Sequence, residues 1–165
     1  MHTPDLNQGA SIAGNHDRSQ GDKNLNEDGD NANTIITENL KTFNEIKPNS
    51  RLHIKDVNYM AKEIKIEVEG TKHKFIHGDE RIKDGKRLIE NDFSMDNDTY
   101  DVLWSGHWHN FSVQSENRGR YIVRTGCLSG FNDYSVQFGC ATDASQTIAV
   151  VSNGKIEMIK DVNLA

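Results

Sequence analysis

Three short segments of the sequence place histidine beside glycine or beside oxygen-bearing side chains. They are the run Gly14 to Arg18, the run His77 to Asp79 and the run Gly106 to His109. Imidazole nitrogen combined with amide or carboxylate oxygen is a donor set that suits manganese, iron or zinc better than calcium or magnesium. A glycine next to a histidine also lets the backbone pack close to a bound ion. These segments therefore predict a site for a divalent transition metal.

Such a site would have the chemistry for hydrolysis of a phosphate ester. Two metal ions roughly 3.5–4 Å apart neutralise the phosphoryl oxygens and activate a water molecule, and a positioned imidazole protonates the leaving oxygen. Asn15 offers an uncharged oxygen ligand, and Asp17 could orient the ring of its neighbour His16. His107 and His109 stand two residues apart, so both would point to one side of an extended segment.

The remaining histidines are expected to be ordinary surface or core residues. This applies to His2, His53 and His73, although His73 shares a predicted strand face with His77. The acidic stretch around Asp28 could suggest a calcium loop. It lacks a glutamate at the required distance, so it is predicted to be a flexible loop.

Composition and charge limit the possible partners. The chain has 19 basic and 25 acidic residues and a net charge of −6, which gives no general attraction to nucleic acid or to an anionic membrane. No apolar run approaches the roughly 18–20 residues that cross a bilayer, and residues 1–20 lack the apolar core of a signal peptide. Cys127 and Cys140 form no metal or disulfide pattern and are expected to be reduced and buried. A cytoplasmic protein without a membrane partner is therefore expected.

The elements that must position the three segments are mostly strands, with about three helices. Period-two alternation predicts a strand over residues 63–69. The apolar run at 100–104 is typical of a strand buried on both faces. Further strands are predicted as the tail at 10–13 and at 51–57, 72–77, 111–115, 121–125, 147–151 and 155–159, with helices at 33–45, 84–91 and 131–138. Hairpin turns are predicted at Gly70-Thr71 and Asn153-Gly154. The histidine segments then follow strand ends, where ligands gather in mixed α/β proteins.

The order of the three segments resembles the signature of the calcineurin-like metallophosphoesterase superfamily. In that signature a GNH[DE] motif, a lone histidine and a GHxH motif follow one another, as the runs at 14–17, 77 and 106–109 do here. The residue pattern of the C-terminal half is similar to that of phage and bacterial members of the superfamily. The resemblance implies an α/β fold, a partial β-sandwich flanked by helices. Residues 1–165 would form a single domain that corresponds to the C-terminal portion of a calcineurin-like phosphoesterase domain, with the motifs between about 10 and 160.

The resemblance also implies metal ligands. Asn15, His77 and His107 would bind one ion, and His109 would bind the other. The family's first two motifs, D-x-H and GD-x-x-D, do not precede Gly14 in this sequence. Family members hold two ions. This chain is expected to hold one or none tightly, with manganese, iron or zinc as the candidates.

The remaining implied roles concern substrate and proton transfer. His16 would act as general acid or transition-state stabiliser, Asp17 would orient it, and Arg18 would either meet a substrate phosphate or face solvent. The implied function is metal-dependent hydrolysis of a phosphodiester, with nucleic acid or a nucleotide as candidate substrate. Three alternatives stay open: a truncated inactive fragment, a module that binds one structural metal, and a chain completed by another polypeptide carrying the missing motifs.

Overall fold

The computed structural model describes residues 8–15, 17–19, 31–48, 53–54, 62–79, 85–97, 99–137, 139 and 142–164. The chain divides into two compact units, Met1–Ile64 and Lys65–Ala165. His16, Cys140 and residues 20–30 of the loop predicted around Asp28 lie outside the described residues. The assignment of the whole chain to one domain stays a prediction.

The described residues form nine strands, three α-helices and one short 3-10 helix. In chain order these are β1 (Gln8–Gly9), α1 (Ala32–Ile46), β2 (His53–Ile54), β3 (Glu63–Val68), β4 (Thr71–Ile76), α2 (Gly85–Asp96), β5 (Val102–Ser105), β6 (Ser112–Glu116), the 3-10 helix (Asn117–Gly119), β7 (Arg120–Arg124), α3 (Asp133–Gln137), β8 (Ser145–Ser152) and β9 (Lys155–Asn163). None of these helices has the length and apolar character needed to cross a membrane.

In the first unit, β1 and β2 pair in parallel and α1 lies between them in sequence. The helix begins one turn before its first apolar residues because the Asn31 side chain accepts the backbone N–H of Thr34 at 3.0 Å, a typical N-cap. The helix thus begins one residue before the start predicted at position 33. The predicted strand tail at 10–13 is wrong, because regular pairing ends at Gly9.

A five-stranded mixed sheet forms the centre of the second unit, in the order β3-β4-β5-β7-β6. Strand β5 runs parallel to β4 on one side and to β7 on the other, and β6 is antiparallel to β7. All four residues of β5 are buried, as expected for a strand covered on both faces. The apolar run therefore predicted the central strand correctly.

The sheet is covered on both faces. On one face, Leu103 and Ile122 pack with Ile89 of α2. On the other face, Trp104 and Val123 form the core against which residues of the β8–β9 hairpin pack. The predicted mixed α/β class, with two β-layers and a flanking helix, is confirmed.

Two local predictions need correction. The first hairpin turns at Glu69-Gly70, with φ of 49° and 80°, because Thr71 is already the first, buried residue of β4. Two positive φ angles identify a type I′ turn rather than the predicted glycine-first turn at Gly70-Thr71. Cys127 is a free thiol and is only partly buried, with its Sγ atom 2.9 Å from the Ser129 Oγ atom.

A buried ion pair joins α2 to the sheet. The Lys74 ammonium lies 2.7 Å from a carboxylate oxygen of Asp92, and only 4% and 12% of the two side chains are exposed. The Tyr100 hydroxyl donates to the same oxygen at 3.0 Å. Helix α2 continues past its predicted end at Asn91 to Asp96, so that Asp92 lies on the helix and faces these two partners.

His73 is a core residue, as predicted. It is 4% exposed, and its Nδ1 atom accepts a hydrogen bond from the Trp104 indole N–H at 3.0 Å. A ring nitrogen that accepts from an N–H donor must be unprotonated, so the neutral ring carries its hydrogen on Nε2. Burial lowers the pKa of His73 below 6.5, and the nearby negative charge of Asp101 opposes this shift.

The lowered pKa of His73 predicts a specific pH dependence of stability. Because the unfolded chain takes up this proton first as the pH falls, the contribution is present above pH 6.5 and is lost as the pH drops through the folded-state pKa. The free energy of unfolding should therefore fall less between about pH 7.5 and about pH 5 in His73→Gln than in the wild type. Urea unfolding at both pH values measures this difference. Equal losses in the two proteins would exclude His73 as a source of acid sensitivity.

Candidate metal site at the carboxyl edge of the sheet

Three neighbouring parallel strands end at the same level of the sheet. Ile76 at the end of β4 pairs with Ser105 at the end of β5, and Ser105 pairs with Arg124 at the end of β7. His77 directly follows the end of β4, and Gly106 directly follows the end of β5. The prediction that the histidine segments follow strand ends is therefore confirmed for these two segments.

This register brings His77 and His107 together. Their ring centroids lie 5.2 Å apart, and the ring planes are inclined at 73°. The glycines on either side make the approach possible. Gly78 has a φ of 106°, and a Cβ atom there would lie 3.4 Å from the Gly106 carbonyl oxygen. Any side chain at position 78 would therefore strain the backbone and press on the neighbouring segment.

The separation of the two rings fits two ligands of one metal ion. A zinc-bound imidazole nitrogen lies about 2.0–2.1 Å from the ion, and the ring centroid lies about 1.1 Å farther along. Two such rings at a tetrahedral angle have centroids about 5 Å apart, in agreement with the observed 5.2 Å. The distance between the two rings is therefore compatible with a shared ion, and the ligand roles of His77 and His107 stay predictions.

His107 and His109 do not form the extended segment that the sequence predicted. Both have left-handed backbone conformations, with φ of 66° and 59°, and the Trp108 N–H donates to the Gly106 carbonyl at 2.7 Å. The chain therefore turns at this point, and the two-residue spacing does not place the two rings on one strand face. The Thr142 hydroxyl fixes the backbone of His109 by donating to its carbonyl at 2.8 Å.

The GNHD segment belongs to the first unit and forms a tight turn. The Gly14 N–H donates to a carboxylate oxygen of Asp17 at 2.6 Å, and the Asp17 N–H donates back to the Gly14 carbonyl at 3.2 Å. The backbone of Arg18 forms a bridge with Asn31. Asp17 is thus hydrogen-bonded to Gly14 through both its carboxylate and its backbone N–H, and its orientation of the His16 ring stays a prediction.

The predicted ligands are assembled only in part. No group of three or more histidine, cysteine, aspartate or glutamate side chains within metal-binding reach occurs among the described residues. His77 and His107 form a pair, whereas His109 does not complete a third position. The ligand role of Asn15 and the substrate role of Arg18 stay predictions.

One contact beside the histidine pair was not predicted from the sequence. The Arg124 guanidinium carbon lies 5.0 Å from the centroid of the Trp108 ring. The Trp108 ring in turn meets the ring of His107 edge-on, with a centroid distance of 5.7 Å and an angle of 83°. The sequence predicted a strand that ends near Arg124. It did not predict that this strand pairs in parallel with β5, which is what brings Arg124 to Trp108.

No family model matches the sequence, and no curated protein matches it significantly. Solved structures with similar folds do exist. Wild-type Vps29 from Entamoeba histolytica in complex with zinc is 17% identical, with 68% of each chain covered and a TM-score of 0.47. A novel archaeal phosphodiesterase is 18% identical over 84% of this chain and 66% of its own, with a TM-score of 0.46. A Thermotoga maritima protein solved by NMR is 16% identical over 76% and 74%, with a TM-score of 0.46.

Proposed function

We propose that this chain is a metal-dependent phosphoesterase of the phosphodiesterase or nuclease type. The observation that supports it best is the meeting of His77 and His107 at a separation suited to one metal ion. The two residues come from separate motifs of the resemblance, and both follow the carboxyl ends of the parallel strands β4 and β5, an edge where ligands usually bind.

His77 and His107 would hold a manganese, iron or zinc ion, with Asn15 as the proposed third ligand and His109 as a ligand of a second ion. Two imidazoles and an amide oxygen suit these metals by the chemistry of their donor atoms. A bound ion of this kind polarises the phosphoryl oxygens and lowers the pKa of a water molecule.

His16 would donate the proton that the leaving oxygen needs. The hydrogen bond between the Gly14 N–H and the Asp17 carboxylate, 2.6 Å long, links two described residues of the motif on either side of this position. Removal of a general acid lowers the rate by roughly a hundredfold or more. This role does not require His16 to be a metal ligand.

The proposal is tested by hydrolysis of bis-p-nitrophenyl phosphate in the presence of Mn²⁺. The wild type should turn over, and His16→Ala should be roughly a hundredfold slower. His2→Ala is the matched control, because His2 has no predicted role, and it should keep the wild-type rate. Equal rates for His16→Ala and the wild type would exclude His16 as the acid. A wild type that binds Mn²⁺ without turnover would favour a metal-binding module instead.

A further inference from the structure

An arginine lies over a tryptophan ring beside the histidine pair. The 5.0 Å between the Arg124 guanidinium carbon and the Trp108 ring centroid falls within the roughly 6 Å range of a cation–π contact. A guanidinium group held in this way against an aromatic ring loses little of its hydrogen-bonding capacity, because its five donors lie in the plane of the group. The contact therefore holds the cation in place while leaving it able to donate.

The position of Arg124 in the sheet places it at the same edge as the two histidines. Arg124 is the last residue of β7 and pairs with Ser105, the last residue of β5. Three contacts form one continuous series: His77 with His107, His107 with Trp108, and Trp108 with Arg124. The guanidinium is thus tied to the histidine pair through a single intervening ring.

The charge of Arg124 is not neutralised by a described carboxylate. Lys74 in the core has Asp92 as its partner, and Lys41 on α1 has Glu38. Arg124 forms no such ion pair within the described ranges. Because the chain has a net charge of −6, an anionic ligand at this edge would depend on a local cation such as Arg124.

A second donor lies in the same contact. The Trp108 indole nitrogen is buried and donates to no acceptor among the described residues. Buried donors of this kind normally have a hydrogen-bond partner. An oxygen atom of a bound anion would supply one.

We propose that Arg124 and Trp108 form an anion-binding subsite that holds a phosphate or phosphoryl group next to the His77–His107 pair. The identification of the anion as phosphate rests on the proposed function, since the guanidinium fork matches phosphate oxygens in a bidentate manner. Arg124 binds the anion directly, and Trp108 positions the guanidinium and adds one N–H donor. The subsite would retain the phosphoryl group of the substrate or of the released product.

Titration with inorganic phosphate, followed by tryptophan fluorescence, tests the subsite without any turnover. The chain has two tryptophans, and Trp104 is 7% exposed in the core, so a response to phosphate would come mainly from Trp108. The wild type should show a saturable change both with EDTA and with Mn²⁺. Arg124→Gln should raise the phosphate Kd by about tenfold or more. Arg124→Lys should lie between the two, because lysine keeps the charge but lacks the planar fork.

Arg120→Gln is the matched control. Arg120 lies at the other end of the same strand, where its side chain donates to the Asn117 carbonyl at 3.2 Å, and its loss should leave the phosphate Kd unchanged. Thermal melts of all variants establish that they fold. Unchanged phosphate binding in a folded Arg124→Gln, or no response in the wild type, would overturn the subsite. Phosphate binding that depends on Arg124 without hydrolysis of any phosphodiester would instead contradict the proposed function alone.

Discussion

Replacement of His77 by alanine should abolish tight binding of a divalent metal and lower phosphodiester hydrolysis by at least about a hundredfold. Loss of a residue that merely supports a metal ligand costs about 10–100-fold in affinity or activity, and loss of a ligand itself should reach at least the upper end of that range. His77 and His107 meet at 5.2 Å between ring centroids, so removal of one imidazole leaves the other without its partner on the ion. Calorimetric titration with Mn²⁺ and the rate with bis-p-nitrophenyl phosphate measure the two effects.

His73→Gln is the matched control for this experiment. His73 lies on the same strand, but its ring is buried and accepts a hydrogen bond from Trp104. Its replacement should leave metal affinity unchanged at neutral pH. A folded His77→Ala protein that binds Mn²⁺ as tightly as the wild type would contradict the assignment of His77 as a ligand.

Replacement of Asp92 by alanine should lower the free energy of unfolding by about 3–5 kcal/mol, the usual cost of removing one partner of a buried ion pair. The Lys74 ammonium would lose its contact at 2.7 Å while its charge stays in a side chain that is 4% exposed. The Tyr100 hydroxyl would lose its acceptor in the same step. Urea unfolding of the two proteins measures the difference, provided that both unfold in a single transition.

Two further variants make this stability prediction specific. Glu90→Ala removes an exposed carboxylate from the same helix and should change stability by no more than about 0.5 kcal/mol. The double variant Asp92→Ala with Lys74→Met removes both charges. It should recover part of the loss, because an apolar replacement leaves no unpaired ion. A double variant less stable than Asp92→Ala would show that Lys74 stabilises the fold without its partner.

Local patterns predicted the elements of the fold well. The alternation in β3 and the apolar run in β5 are properties of a few consecutive residues, and both strands lie where those patterns placed them. The Asn153-Gly154 turn is also local, and both of its residues have the positive φ that a type I′ turn requires. The turn at Glu69-Gly70 was misplaced by one residue because the burial of Thr71, a tertiary effect, sets the start of β4.

Contacts between distant residues could not be predicted from the sequence. The meeting of His77 and His107 depends on the parallel register of β4 and β5, and Arg124 reaches Trp108 through the parallel pairing of β5 with β7. The resemblance to a family suggested that His77 and His107 share a site; the structure brings their rings to 5.2 Å, and their role as ligands stays a prediction. The left-handed turn at His107 and His109 was missed, because nothing in their two-residue spacing distinguishes a turn from an extended segment.

The most direct test of the proposed metal site follows the imidazole nitrogen resonances of individual histidines by NMR during titration with Zn²⁺. The resonances of His77 and His107 should shift together, at the same zinc concentration, because both rings bind one ion. The resonance of His73 should remain unchanged, since its ring is enclosed by Trp104 and Phe75. Resonances of His77 and His107 that do not move, or that move at widely different zinc concentrations, would contradict a shared metal ion.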